Sequence, residues 1–422
     1  MAKRKKIRRT ILSIILVGLA VWIARALIDA PPPDDADLLI TYEDIPDEEN
    51  ALSYFNLAAG YVYWPEGRAK GRRPDDLLDE DGWDQTLADE ILAENEDIFD
   101  LVEQGLACPR CQFAQVTGLD DVRYISGQAG PSRTLARLCA IRAEHLFRQG
   151  QEEEAFDQAM LIVTLGNRLQ NGRGSVLDYM VAIAVEETGL VRMRRMLTST
   201  SLDQSVLMPY ISRLDECRAS EGGFADAIKT EYTCTARAVD DFASAKQFKK
   251  NRMIGRVLMF FTLKPNRTKR RLAKSIEISL PNARRTLAEA TRPEFARGSA
   301  LWRKIKAYAS GNGVGENLYW ILMSPYARLH GLKARIDCSV AATRILIALK
   351  CYKATHGELP DTLDDLVPDY LDAVPLDACD GKPMRYSKQT RVVYSVGCDL
   401  KDAGGTGRYD WDDDEPTFKI EF

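Results

Sequence analysis

The chain opens with a block of charge followed by an apolar run. Lys3, Arg4, Lys5, Lys6, Arg8 and Arg9 precede residues 11–24, which carry no charge. Basic residues before an apolar stretch stay on the cytoplasmic side. The pattern predicts a basic cytoplasmic tail over 1–9 and a transmembrane signal-anchor over 10–29. Everything beyond then lies on the periplasmic or exterior side of the cytoplasmic (inner) membrane. Ala24, Arg25 and Ala26 also have the small-x-small form of a cleavage site, so both a retained and a cut segment fit the residues. Pro31, Pro32 and Pro33, with Asp34, Asp35 and Asp37, read as a stiff acidic stalk over 30–48.

From 49 to 334 turn signals are sparse and apolar residues recur at helical spacing. Ala51, Phe55, Ala58 and Ala59 share one face, as do Ile91, Ile98, Leu101 and Val102. Residues 133–149 and 152–169 form two amphipathic helices joined at Gly150, which predicts a helical hairpin. A third helix is expected over 175–197. A fourth is expected after Ser201, which has capping-box spacing to Gln204. The region is expected to be a large α-helical bundle or a tetratricopeptide-like array; one hairpin without a second copy in register makes the bundle the plainer reading.

The tail, 335–422, changes character. A long apolar helix runs to Ala354, His356, Gly357, Leu359 and Pro360 stop it, and a short helix follows at 362–367. The runs 384–386 and 391–396 have strand composition, giving a helix on a small antiparallel sheet. The order and spacing of Ala348, Leu349, Tyr352, Gly357, Leu359 and Pro360 matter here. So do those of Val374, Pro375, Leu376, Asp377, Gly381, Pro383, Tyr386, Tyr394, Ser395, Val396 and Gly397. Together these residues resemble the globular domain of the major pseudopilin of type II secretion. The whole chain is similar to membrane-anchored bacterial proteins of uncharacterised activity that end in this module. The resemblance implies that the loop after the Tyr394 strand binds calcium, with Asp399, Asp402, Asp412 and Asp413 as candidate ligands and Asp414 beside them. Clustered carboxylates on a glycine-bent loop supply the oxygens a hard cation needs. One departure is plain: residues 11–24 hold no acidic residue and stand some 300 residues from the module. Polymerisation into a fibre through the usual pseudopilin helix is therefore not expected.

Composition adds limits. The net charge is −5, against the basic footprint of a nucleic-acid binder, and three histidines leave little for imidazole chemistry. Nine cysteines are an odd number for an exported chain. Cys338 and Cys351 on one helix stand too far apart to pair, whereas Cys379 and Cys398 are candidates. Cys108 and Cys111 form a lone C-x-x-C, read as a local disulfide or two inert thiols. Residues 311–316 read as a helix-to-helix connection rather than a phosphate loop. Basic residues crowd 246–274 around the apolar segment 254–263, with no acid among them. This reads as a helix buried in the bundle with a basic collar, or alternatively as an interfacial membrane helix.

The fold class expected is therefore mainly α: an N-terminal transmembrane helix, the helical region, and a small α+β pseudopilin-like C-terminal domain. The function expected is that of a single-pass membrane-anchored, non-enzymatic exported protein. Its partners would be the membrane, through the first helix, and proteins of an envelope or secretion assembly. The competing class is an exported hydrolase or lyase using carboxylates such as Glu186 and Glu187. Those two point about 100° apart on a helix, which favours a solvated edge.

Overall fold

The computed structural model describes residues 2–65, 74–79, 82–115, 119–217, 221–244, 252–291, 311–323, 326–406 and 415–422. Among these the chain is mainly helical. The first helix, α1, is Ala2–Leu27. α2 (Ala51–Tyr61), α3 (Gln85–Glu94), α4 (Glu96–Ala107) and α5 (Leu119–Arg148) form one group. α6 (Glu152–Gln170), α7 (Val176–Leu197), α8 (Gln204–Glu216) and α9 (Glu221–Ala243) follow. α10 (Arg252–Thr262), α11 (Pro265–Ser279), α12 (Gly313–Met323) and the long α13 (Tyr326–His356) complete the helices.

The expected transmembrane helix is corrected. Residues 10–29 do lie largely in a helix, but among the described residues no helix is long and apolar enough to cross a membrane. The sequence gives a physical reason. The uncharged run 11–24 spans about 21 Å at ~1.5 Å per residue, short of a hydrocarbon layer of roughly 30 Å, and Arg25 closes it.

Local chemistry sets the helix starts. Asn50 caps α2 by accepting from the Leu52 N–H, and Asp84 caps α3 through the Leu87 N–H. Ser175 and Asp178 form a capping box on α7. The start of α8 differs from expectation: Asp203 is the cap, accepting from the Ser205 and Val206 N–H groups, while the Ser201 hydroxyl donates to Glu152 at 3.0 Å. The carboxylate wins because it takes two orphan amides at once. The turn from α5 to α6 is made at Gly150, whose φ of 82° suits a residue without a side chain.

α6 and α7 are the centre of the molecule, because apolar residues clothe both of their broad faces. One core joins Phe55, Ile91, Leu135 and Ile141 to Ile162, Leu165 and Val185. The other joins Phe156, Tyr179 and Leu190 to Tyr232, Ile345, Leu366, Val393 and Phe418, so it runs unbroken from the bundle into the C-terminal strands. The two central helices cross closely at paired glycines. A Cβ on Gly166 would lie 2.5 Å from the Glu186 nitrogen, and one on Gly189 would lie 2.7 Å from the Ala159 carbonyl oxygen.

α13 runs through residues 334 and 335 without a break, and it packs on α7, α8 and the strands. β1 (Arg385–Ser387), β2 (Val392–Tyr394) and β3 (Thr417–Lys419) form an antiparallel meander in that order. Tyr386 pairs with Val393, which pairs with Phe418. The segment read as a stalk lies against the body: Leu38 is buried, the Tyr232 hydroxyl donates to Asp35 at 2.5 Å, and the Tyr42 hydroxyl donates to the Arg173 carbonyl at 3.2 Å.

Candidate functional site

The exposed apolar side chains gather on two helices that touch, α1 and α10. On α10, Met253 is 81% exposed and Ile254 68%, with Val257, Leu258, Phe260 and Phe261 between 44% and 55%. At about 100° per residue these six cover an arc of roughly 160°. Gly255, Met259 and Leu263 lie on the opposite side and are buried. The helix is therefore amphipathic with its broader apolar face outward. This answers the two readings of 246–274: the described part of the apolar segment is not enclosed by the bundle. On α1, Ile11, Leu12, Ile14, Ile15, Leu16, Val17, Leu19, Val21 and Ile23 are all more than 40% exposed.

The end of α1 is tied to α11, the helix that follows α10 in the chain. Asp29, two residues past α1, accepts from the backbone N–H of Asn266 at 2.9 Å and of Arg267 at 3.1 Å. It thereby caps α11, whose own preceding residue, Lys264, provides no side-chain cap. The Asn266 amide donates to the Ala30 carbonyl at 3.0 Å, and the Arg267 guanidinium to the Ile28 carbonyl at 3.1 Å. Arg256 on α10 and Arg270 and Lys274 on α11 are exposed cations. Lys269 pairs with Asp240 at 2.9 Å, and Arg271 pairs with Glu316. Lys264 donates to the Phe260 carbonyl, and burial pushes its ammonium below the usual lysine value.

The candidate carboxylates of the enzyme reading lie elsewhere, in the crossing of α6, α7 and α13. Glu186 and Glu187 are both buried, where the sequence suggests a solvated edge. They diverge, as adjacent helical residues must. Gln170 donates to one Glu186 oxygen, and the other oxygen has no hydrogen-bond partner. Burial pushes the Glu186 carboxyl well above its ordinary value; the Gln170 hydrogen bond opposes this, and the negative groups Asp337 and Glu187 add to it. Glu187 accepts from Arg194 at 2.6 Å and from the Ser339 hydroxyl at 2.6 Å, and Arg194 also donates to Thr343 at 2.9 Å. This ties α7 to α13 by a satisfied polar network. Of the cavities described, those of about 290, 520, 540 and 240 Å³, none is lined by Glu186 or Glu187.

Among the candidate calcium ligands, Asp399 and Asp402 are described, while Asp412, Asp413 and Asp414 lie outside the described residues. Asp399 pairs with the Lys401 ammonium at 3.0 Å and accepts from the Lys401 N–H. Asp402 accepts from the Tyr394 hydroxyl at 3.3 Å and from the Gly404 N–H at 2.9 Å. The two belong to one loop but turn to different partners. The loop is closed by Glu415, which accepts from the N–H groups of Ala403 at 2.7 Å and Thr406 at 3.1 Å. Cys108 and Cys111 are both free thiols; Cys108 donates to the Gln104 carbonyl at 3.4 Å, and burial pushes Cys111 up to about 12.

Comparison of the chain with known proteins finds no matching family model, no matching curated protein and no matching solved structure. The residues that organise the exposed face are therefore read from their own chemistry. Sequence reasoning missed Asp29, whose partners lie more than 230 residues away and leave no local signal. It named Asp377 only as part of the resemblance and gave it no role in a site, whereas the residue is fully buried and bonded to Arg385 at 2.7 Å. The two-residue step from Asp377 to Cys379, in a run otherwise rich in turn residues, was the visible clue.

Proposed function

We propose that the chain is a non-enzymatic protein of the exported side that adheres to an anionic membrane surface through the joint face of α1 and α10. It presents the helical bundle and the pseudopilin-like module to partners in an envelope or secretion assembly. The observation that carries this reading is the outward apolar arc of α10 beside the exposed apolar residues of α1.

Magnitudes support two helices acting together. Fully burying an Ile, Leu, Phe, Val or Met side chain yields about 1.5–3 kcal/mol, so six that are about half exposed or more contribute on the order of 6 kcal/mol. That is the scale of a single acyl chain, which holds a protein only marginally. Three exposed cations add about 1 kcal/mol each near an anionic surface. α1, which touches α10 and is tied to α11 through Asp29, supplies the second apolar element. The acidic excess of the rest of the chain keeps the remaining surface off the lipid, so the orientation is set.

The test is flotation of the full chain with vesicles. With phosphatidylcholine vesicles containing about a third phosphatidylglycerol, the protein is expected to float with the lipid at low salt and less so at high salt. Ile254→Glu with Leu258→Glu, both at exposed positions, is expected to weaken binding about tenfold or more. Equal flotation with pure phosphatidylcholine, or binding unchanged by the paired substitution, would refute the reading.

A further inference from the structure

Cys338 on α13 and Cys379 in the loop before β1 are each fully buried, in a part of the core remote in the chain from the α1 and α10 face. Their sulfurs and an oxygen of Asp377 all lie within 4.8 Å of one another. The Cys338 thiol donates to Asp377 Oδ1 at 3.3 Å and lies 3.6 Å from the Ser395 hydroxyl. Two thiols and a carboxylate raise two chemistries, coordination of a soft metal ion and formation of a sulfur–sulfur bond.

The surroundings of Asp377 separate them. Its Oδ1 also accepts from the Ser395 hydroxyl at 2.8 Å and the Cys379 N–H at 2.9 Å. Its Oδ2 accepts from Arg385 at 2.7 Å and the Val396 N–H at 3.0 Å. An ionised carboxylate offers about four lone-pair positions, and five donors already aim at this one. Arg385 neutralises its charge and is itself held by Asp380 at 2.5 Å. A metal would have to displace these bonds to gain its third ligand. A sulfur–sulfur bond removes only the Cys338 S–H donor, and leaves Asp377 with four.

The partner expected from the sequence, Cys398, sits elsewhere. Its sulfur packs over Gly331, within 3.4 Å of where a Cβ would stand.

We propose that Cys338 and Cys379 are a disulfide-forming pair that staples α13 to the segment leading into the sheet. The reaction is exchange with a low-molecular-weight disulfide such as oxidised glutathione, or with an oxidised dithiol catalyst. One thiolate attacks the incoming disulfide and releases a thiol; the second thiolate displaces the other half. The two cysteines lose two electrons and two protons, and the incoming disulfide leaves as two thiols. Because both sulfurs are sealed in the folded chain, the bond closes during folding, before the core excludes the oxidant. It then closes a loop that contains Gly357, Leu363, Leu366 and Tyr370, and so restrains the module in the unfolded chain.

The experiment is peptide mapping of the full chain refolded with reduced and oxidised glutathione. Free thiols are alkylated in denaturant, first without and then with reductant. The expected result is that peptides containing Cys338 and Cys379 are recovered joined, two hydrogens lighter than their sum, and that these two of the nine cysteines are alkylated only after reduction. Cys338→Ala and Cys379→Ala should each leave the other cysteine alkylated without reductant; if either variant fails to fold, the wild-type map alone decides. Full alkylation of both without reductant overturns the proposal. So does a joined Cys379–Cys398 peptide, or one equivalent of zinc released when both thiols are alkylated.

Discussion

Glu186→Gln isolates the effect of one proton at the centre of the bundle. Burial raises the Glu186 carboxyl well above its ordinary value, so the folded chain keeps this proton at pH values where the unfolded chain, titrating near ~4.3, has released it. Stability from this group is complete below the unfolded value and is lost as pH climbs towards the folded one, at about 1.4 kcal/mol per pH unit. Glu231, raised to about 7 by burial, contributes a second slope of the same sign that ends near that pH. Both slopes run the same way as pH rises above 5, so the wild type loses stability there. Asp203, Asp361 and Asp380 are shifted downward, are ionised in both states over this interval and add no slope.

Glutamine has the same shape and does not titrate. Gln170 Oε1, like one Glu186 oxygen, lacks a hydrogen-bond partner, so the new amide finds an acceptor on the residue that already donates to position 186. The variant minus wild-type difference in stability, read from urea midpoints, is therefore expected to grow in the variant's favour, on the order of 1 kcal/mol per pH unit at most, as pH rises above the ordinary glutamate range. Titrating groups that do not interact with position 186 cancel in that difference. A difference that stays flat over this interval would show that Glu186 ionises normally, and the argument from its burial would fail.

Two further outcomes follow from the packing and the acidic loop. Gly166→Ala brings a methyl against backbone atoms of Glu186 and should lower stability by about 1–3 kcal/mol despite alanine's better helix propensity, whereas Gly60→Ala, with nothing within 4 Å, should gain up to about 1 kcal/mol; equal midpoints for the pair would refute the close crossing. Calcium on the 398–414 loop must take Asp399 from Lys401, so the sequence-based reading translates into a melting temperature that rises with calcium, rises further in Lys401→Gln and is unresponsive in Asp399→Asn; identical melts with calcium and with chelator would end it.

What the sequence made legible was whatever repeats along the chain. Apolar spacing announced α6 and α7, and strand composition announced β1 and β2, because burial of one face writes a period into the residues. The burial of Glu186 and Glu187 was illegible. A glutamate pair looks the same on a solvated edge as beneath a second helix, and only the approach allowed by Gly166 and Gly189 covers it. The segment around α10 was ambiguous for a related reason, since one apolar stretch with basic flanks satisfies both a core and an outward face. Three-dimensional placement decided between them. The shortness of the uncharged run 11–24 is legible in the sequence alone, and it argues against a spanning helix.

The hydrogen bonds that Asp29 accepts also bear on how the molecule is oriented. If α1 adheres to a surface as proposed, a slack tether after it would let the body tumble. Here the chain is clipped to the first turn of α11 almost as soon as it leaves the helix, through backbone amides that cannot swivel. On the proposed adhesion the body would thus be mounted rather than leashed, with the same side of the molecule turned away from the surface.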